Sequence, residues 1–255
     1  MNGTAWRQRT AACLMLACCV TLSHGQEPAT DASSKAAAAT AVQSLTSGTP
    51  EGLTKLSEKN DVWFDGKRKA VVVDGQVCLR AGQLEMFACP KGTKEHESVV
   101  SLNCLAEEVH AGLLAAGAKP GTPVSFNPEY KAATGQIVDV YVLWKDAQGN
   151  KRQARAQDWI KHTQTGKPMA YDWVFAGSGF WKDPETGLEH YRANGGDFIC
   201  LSNFPTAMLD LPIESSQANA DLMFEALSDN IPPKGTKVRV VLIPRAAKGA
   251  GAKTP

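Results

Sequence analysis

The segment KAVVVDGQVCLRAG, residues 69–82, sets Asp74-Gly75 between two apolar runs. Asp-Gly tolerates positive φ at both positions of a tight turn, so the segment reads as a β-hairpin. The pattern recurs in IVDVYVLWKDAQGN, residues 137–150, where Val138, Val140, Val142 and Trp144 alternate before a DAQGN turn. A third candidate hairpin, WVFAGSGFWKDPETGLEHYRANGGDFICLSN, carries DPETG at its tip, and KVRVVLIP near the end supplies a short terminal strand. NADLMFEAL is ambiguous in period and is assigned to strand, because Leu222, Phe224 and Ala226 alternate. The glycines of AGSGF, residues 176–180, let a strand bend beside Trp173, Phe175 and Trp181. They lack the helix and lysine that phosphate binding requires.

One helix interrupts the strands. Asn103 is placed to cap it, Glu107 and Glu108 fall in its first turn, and Gly117 with Pro120 ends it. Leu105, Val109, Leu113 and Ala116 share a face, which suits a helix lying on a sheet. The expected fold is therefore α+β: a mainly antiparallel β-sheet domain covered by one clear helix.

The ends of the chain are read differently. Residues 1–25 have the layout of a signal peptide: Arg7 and Arg9, the apolar AACLMLACCVTL, then Ser23 and Gly25 before a cleavage point. Twelve apolar residues are too few to span a bilayer. A lipid anchor on Cys18 or Cys19 is the minor alternative, since MLAC fits the small-residue box poorly. Residues 26–51, rich in Ala, Ser and Thr, form a low-complexity tether expected to be disordered, and residues 245–255 a disordered basic tail. That leaves residues 52–244 as a single domain. Membrane contact is expected only through the cleaved signal or such an anchor. The net charge of +1 gives no field suited to nucleic acid.

Export places the domain where disulfides form, and Cys78, Cys89, Cys104 and Cys200 are the candidates. Four thiols allow three pairings, which the sequence leaves open. A Cys89–Cys104 bridge would close a loop worth about 3 kcal/mol in the chain-entropy account. Cys78 and Cys200, each inside an apolar strand, also suit small buried core residues.

The stretch CPKGTKEHESVVSLNCLAEEVHAGLL, residues 89–114, concentrates the reactive side chains. Cys89, His96, Cys104 and His110 form a donor set that zinc accepts. Their spacing is wide, with six residues between the first pair and five between the second. An iron–sulfur cluster is disfavoured, because 10, 14 and 95 residues separate the four cysteines. A hydrolase reading would make His96 a general base beside Glu95 or Glu97, with Ser98 or a cysteine as nucleophile, but KEHES is not a nucleophile elbow. Asn203, Asp210 and Tyr191 lie near apolar strand ends and are candidates to line a cleft, although loop residues capping turns are the plainer reading.

The KEHESVV segment, VHAGLLAAGAKPGTPV, WVFAGSGF and GDFICLSNFPTAMLDLPI, in that order, resemble the YdjY-domain family of bacterial extracytoplasmic proteins. The likeness covers nearly all of residues 60–244. It implies export and one shared domain rather than a particular reaction, and it points to Lys94, His96, Glu97 and His110 as binding candidates. Some members are labelled ferredoxin-like, and this chain lacks the clustered cysteines which that label needs. The expected activity is that of an exported module binding a small ligand or an extracytoplasmic protein. A metal or redox protein using Cys89, His96, Cys104 and His110 is the alternative, and a hydrolase centred on His96 ranks last.

Overall fold

The computed structural model of the chain describes residues 52–218 and 221–246. The signal segment with Cys18 and Cys19, the tether, and the tail from residue 247 lie outside the described residues.

Among the described residues, fifteen strands account for most of the ordered elements. In chain order they are β1 (Thr54–Lys55), β2 (Val62–Asp65), β3 (Ala70–Val77), β4 (Met86–Pro90), β5 (Ser98–Leu102), β6 (Ile137–Lys145), β7 (Lys151–Arg155), β8 (Ile160–His162), β9 (Trp173–Phe175), β10 (Phe180–Lys182), β11 (Glu189–Tyr191), β12 (Ile199–Cys200), β13 (Leu209–Asp210), β14 (Phe224–Ala226) and β15 (Lys237–Pro244). The single α-helix among the described residues, α1, is Ala106–Ala115, between β5 and β6.

Strand pairing closes on itself. The path runs β3–β15–β6–β9–β13–β12–β4–β5, and β5 pairs back onto β3 to complete an eight-stranded barrel. Its seams are antiparallel except β12–β13 and β4–β5, which are parallel. β1 and β2 extend outward from β3, β7 pairs with β6, and β10–β11 and β14–β8 form separate two-stranded ribbons. This overturns the expected α+β sheet under a covering helix. An open sheet needs a second layer over its apolar face, whereas a closed one faces its own far wall. Val71, Val73 and Val77 of β3, Val138, Val140 and Val142 of β6, and Val238, Val240 and Leu242 of β15 meet Trp173 and Phe175 in one buried cluster.

The helix plugs this barrel rather than covering a sheet. Ala106, Val109, Gly112 and Leu113 are its buried residues, and Val109 and Leu113 join the interior cluster. A side chain at Gly112 would stand 2.8 Å from Leu56 Cδ1 and 2.9 Å from Val71 Cγ2, so the glycine lets the helix seat at that end. Toward the other end, a 3-10 turn at Ala156–Trp159 inserts Trp159, edge-on to Trp144 at 5.2 Å. Two helix details differ from expectation. Leu105, not Asn103, is the N-cap and is 40% exposed, while Asn103 Nδ2 donates to Asp61 Oδ2 at 2.7 Å. Gly117, at φ +88, does end the helix.

Asp74-Gly75 is not a turn. Both residues lie inside β3, at the point where its neighbour changes from β2 (through Val73) to β5 (from Gly75). A Cβ at residue 75 would fall 2.2 Å from the Ser101 carbonyl oxygen. The pair therefore serves a close backbone approach at a barrel corner, a second use of strand glycine. The DAQGN and DPETG turns do join β6 to β7 and β10 to β11, and β14 is a strand. Arg245, just past β15, pairs with Asp139 and with Asp172 at 2.7 Å.

Candidate functional site

The loop after β4 is built to present two charged side chains. Lys91 N donates to Leu102 O at 2.8 Å, Thr93 Oγ1 to Pro90 O at 2.6 Å, and Glu97 N to Lys94 O at 3.2 Å. Glu95 faces back into this loop and accepts from Gly92 N and from Ser101 Oγ. Burial works against its charge, but those donors prevail and hold its carboxyl below the usual glutamate value. Glu95 is thus committed to the loop, which leaves Lys94 and Glu97 pointing the other way.

Lys94 Nζ lies 3.4 Å from Glu97 Oε1, 3.0 Å from Asp197 Oδ1 and 4.3 Å from the centre of the Phe204 ring. Its aliphatic stem runs over Gly196, where a Cβ would approach Lys94 Cγ to 2.6 Å. With φ at +130, that position suits glycine on conformational grounds as well. Asp197 Oδ2 accepts from Thr206 Oγ1, so its carboxylate is fixed from two sides. Glu85 adjoins the group through its backbone: its N–H donates to Glu97 O, and its carbonyl accepts from Leu201 and Ser202. Burial and then the Glu97 charge raise the Glu85 carboxyl above its ordinary value. Burial opposes the Lys94 ammonium, yet Asp197 and Glu97 outweigh it and keep its pKa above that of free lysine. Two carboxylates therefore contact one ammonium, with the Glu85 carboxyl under the influence of the same charges.

An apolar patch lies beneath. Met86, Cys200 and Ala207 form a small buried cluster on which Phe204 packs. The connection between β12 and β13 that carries Phe204 is pinned by Asn203, whose Nδ2 donates to Asp210 Oδ1 at 3.1 Å and to Leu211 O at 3.2 Å. Ser215 N and Tyr130 OH donate to Asn203 Oδ1. Asp210 is fully buried, and its Oδ2 has no hydrogen-bond partner among the described residues. Burial pushes its carboxyl up to about 7. Asn203 and Asp210 thus hold the loop behind the site. Tyr191 lies elsewhere, donating its hydroxyl to Gly177 O at 3.0 Å.

Beside Thr206 projects the β10–β11 ribbon. Phe180, Trp181 and Leu188 on it are 60%, 43% and 60% exposed, and Trp181 stacks on His190 at 5.2 Å. Trp181 does not pack with buried Trp173 and Phe175. A shallow depression is lined by Trp181, Arg192 and Thr206, the last of which donates its hydroxyl to Asp197. The AGSGF glycines make the bend between β9 and β10, and Ser178 Oγ donates to Thr206 O at 2.7 Å.

Of the four residues to which the resemblance pointed, Lys94 and Glu97 meet, with His96 at their rim: His96 Nε2 is 3.6 Å from Glu97 Oε2, and the side chain is 75% exposed. His110 is on α1, its Nδ1 2.7 Å from Tyr191 Oη and its ring edge-on to Phe175 at 4.8 Å. Burial lowers its pKa, favouring the neutral ring. The zinc set does not converge: His96 is at the surface, His110 faces Tyr191, and Cys89 and Cys104 are buried. Among the described residues no group of three or more His, Cys, Asp or Glu side chains is placed to hold a metal ion. Cys78, Cys89, Cys104 and Cys200 are all buried free thiols, and the Cys89–Cys104 bridge is not formed. Burial raises the pKa of each of them, that of Cys78 to about 12. Asp197, Glu85, Phe204 and Thr206 complete the site and carried no individual signal, although Asp197, Phe204 and Thr206 lie within the GDFICLSNFPTAMLDLPI segment.

Fold and site together define a closed β-barrel domain with a charged, aromatic-flanked cluster on its outer wall. The family model of the YdjY domain matches residues 62–243, and the chain belongs to that family. No curated protein and no solved structure matches it.

Proposed function

We propose that this domain is an extracytoplasmic binding module, and that its ligand presents a cationic amino group attached to an apolar body. The observation that carries this reading is the imbalance around Lys94: Glu97 and Asp197 set two carboxyl groups at contact distance against one ammonium, and the Glu85 carboxyl feels the same charges. Like-charge crowding of partly buried carboxyls is relieved by an incoming cation. The Phe204 ring offers aromatic surface next to that charge, where apolar contact and cation–π attraction act together, and the exposed Trp181 shares a depression with Thr206, which holds Asp197. The layout at the N-terminus of the chain supports export, and a long tether would let such a module reach a partner away from a membrane.

Tryptamine and indole-3-acetate separate charge from ring, since they share the indole and carry opposite charges. Calorimetry should detect binding of tryptamine and none of indole-3-acetate, with Glu97→Gln weakening tryptamine at least tenfold. Binding of indole-3-acetate alone would shift the site to Arg192 and contradict the reading. Equal affinity in the Glu97→Gln variant would contradict it too.

A further inference from the structure

On the outer wall formed by β3, β15 and β6 lies a groove of about 580 Å³, lined in part by Gln76, Lys91, Lys145, Lys237 and Arg239. Strand register explains its charge. Lys151 pairs with Lys145, and Val238 pairs with Trp144, which sets Lys237 opposite Lys145. Lys237 is in turn opposite Gln76, to whose Oε1 its Nζ donates at 3.0 Å. Three exposed lysines thus stand side by side across adjacent strands. Like charges in directly opposed positions destabilise a sheet.

Lysines commonly guard sheet edges, but that accounts only for Lys151. Lys145 and Lys237 belong to strands paired on both flanks. The two acids of the groove do not cancel them. Asp74 is spent on Arg239, in contacts of 2.6 and 2.7 Å, and Asp61, held by Asn103, leaves Lys91, Lys145 and Lys237 in excess.

We infer that this groove is an anion-binding site for a small multivalent oxyanion, a phosphate or a polycarboxylate. The volume suits a small molecule, and Lys91, Lys145 and Lys237, which line it, supply separate cations that a single carboxylate would not satisfy. The site is distinct from the carboxylate cluster around Lys94 and needs a ligand of opposite charge.

Inorganic pyrophosphate and citrate, titrated calorimetrically into the full chain at fixed ionic strength, test it. At least one should bind, and the double variant Lys145→Gln/Lys237→Gln should lose tenfold or more in affinity while tryptamine binding stays unchanged. Binding of citrate alone assigns a carboxylate ligand, and of pyrophosphate alone a phosphate. No heat from either, or an affinity unchanged in the double variant, would overturn the inference.

Discussion

Gly75→Ala should cost about 3–5 kcal/mol of folding stability, a large effect for the addition of one methyl group. The methyl would sit 2.2 Å from the Ser101 carbonyl oxygen and 2.8 Å from Leu102 Cδ2. The first contact is with backbone, which cannot rotate away as a side chain does. Relief requires β5 to move off β3, and that seam closes the barrel through Gly75–Leu102, Gln76–Ser101 and Val77–Val100. Gly66→Ala is the control, because its nearest neighbour would be Phe64 Cε1 at 3.6 Å. It should change stability by no more than about 1 kcal/mol. Urea unfolding midpoints of the two variants make the comparison. Equal, small losses would mean that β3 and β5 do not meet as described.

The second large effect is pH-dependent. Asp210 is fully buried, its carboxyl is pushed up to about 7 by burial, and one of its oxygens has no partner among the described residues. A carboxyl whose folded pKa is raised contributes stability at low pH. That contribution is fully present below the unfolded value near 4 and is lost as pH rises through about 7. A shift of roughly three pH units corresponds to about 4 kcal/mol. Through this group the domain should lose stability between pH 4 and pH 8.5. Asp210→Asn keeps an oxygen to accept from Asn203 Nδ2 and Leu211 N and removes the charge. Its stability should change far less over the same interval, so that it overtakes the parent protein at high pH. Denaturant curves at the two pH values decide this, and identical pH dependence in both proteins would show that Asp210 is not the source.

Local pattern reveals local structure, and these residues show where that stops. Alternating Val138, Val140 and Val142 announced an inward-facing strand, because a period of two needs only neighbouring residues to read. Gly117 announced the end of α1 for the same reason. Asp74-Gly75 misled because a tight turn and a close strand crossing both favour glycine. The deciding contact, Ser101 O, comes from a strand 26 residues away, and nothing in DG encodes it. β12 and β13 are two residues each and pair in parallel, too short to show any period. Without them, the sheet cannot be seen to close. The site follows the same rule. Lys94, His96 and Glu97 stood out as a charged loop, while Asp197, which meets Lys94 at 3.0 Å, is brought there by the barrel from the far side of the sequence.

The proposed binding of a cationic ligand depends on the carboxyl groups around Lys94 being arranged to receive a second cation. Titration of the Glu85 side-chain carboxyl by 13C NMR, with and without saturating tryptamine, reports on that arrangement directly. Without ligand, Glu85 should titrate above an ordinary glutamate, because burial and the Glu97 charge both resist its ionisation. With tryptamine bound, its pKa should fall, since a positive charge among the carboxylates favours the ionised form. A Glu85 pKa that is ordinary from the outset, or that stays raised when tryptamine is saturating, would contradict the claim.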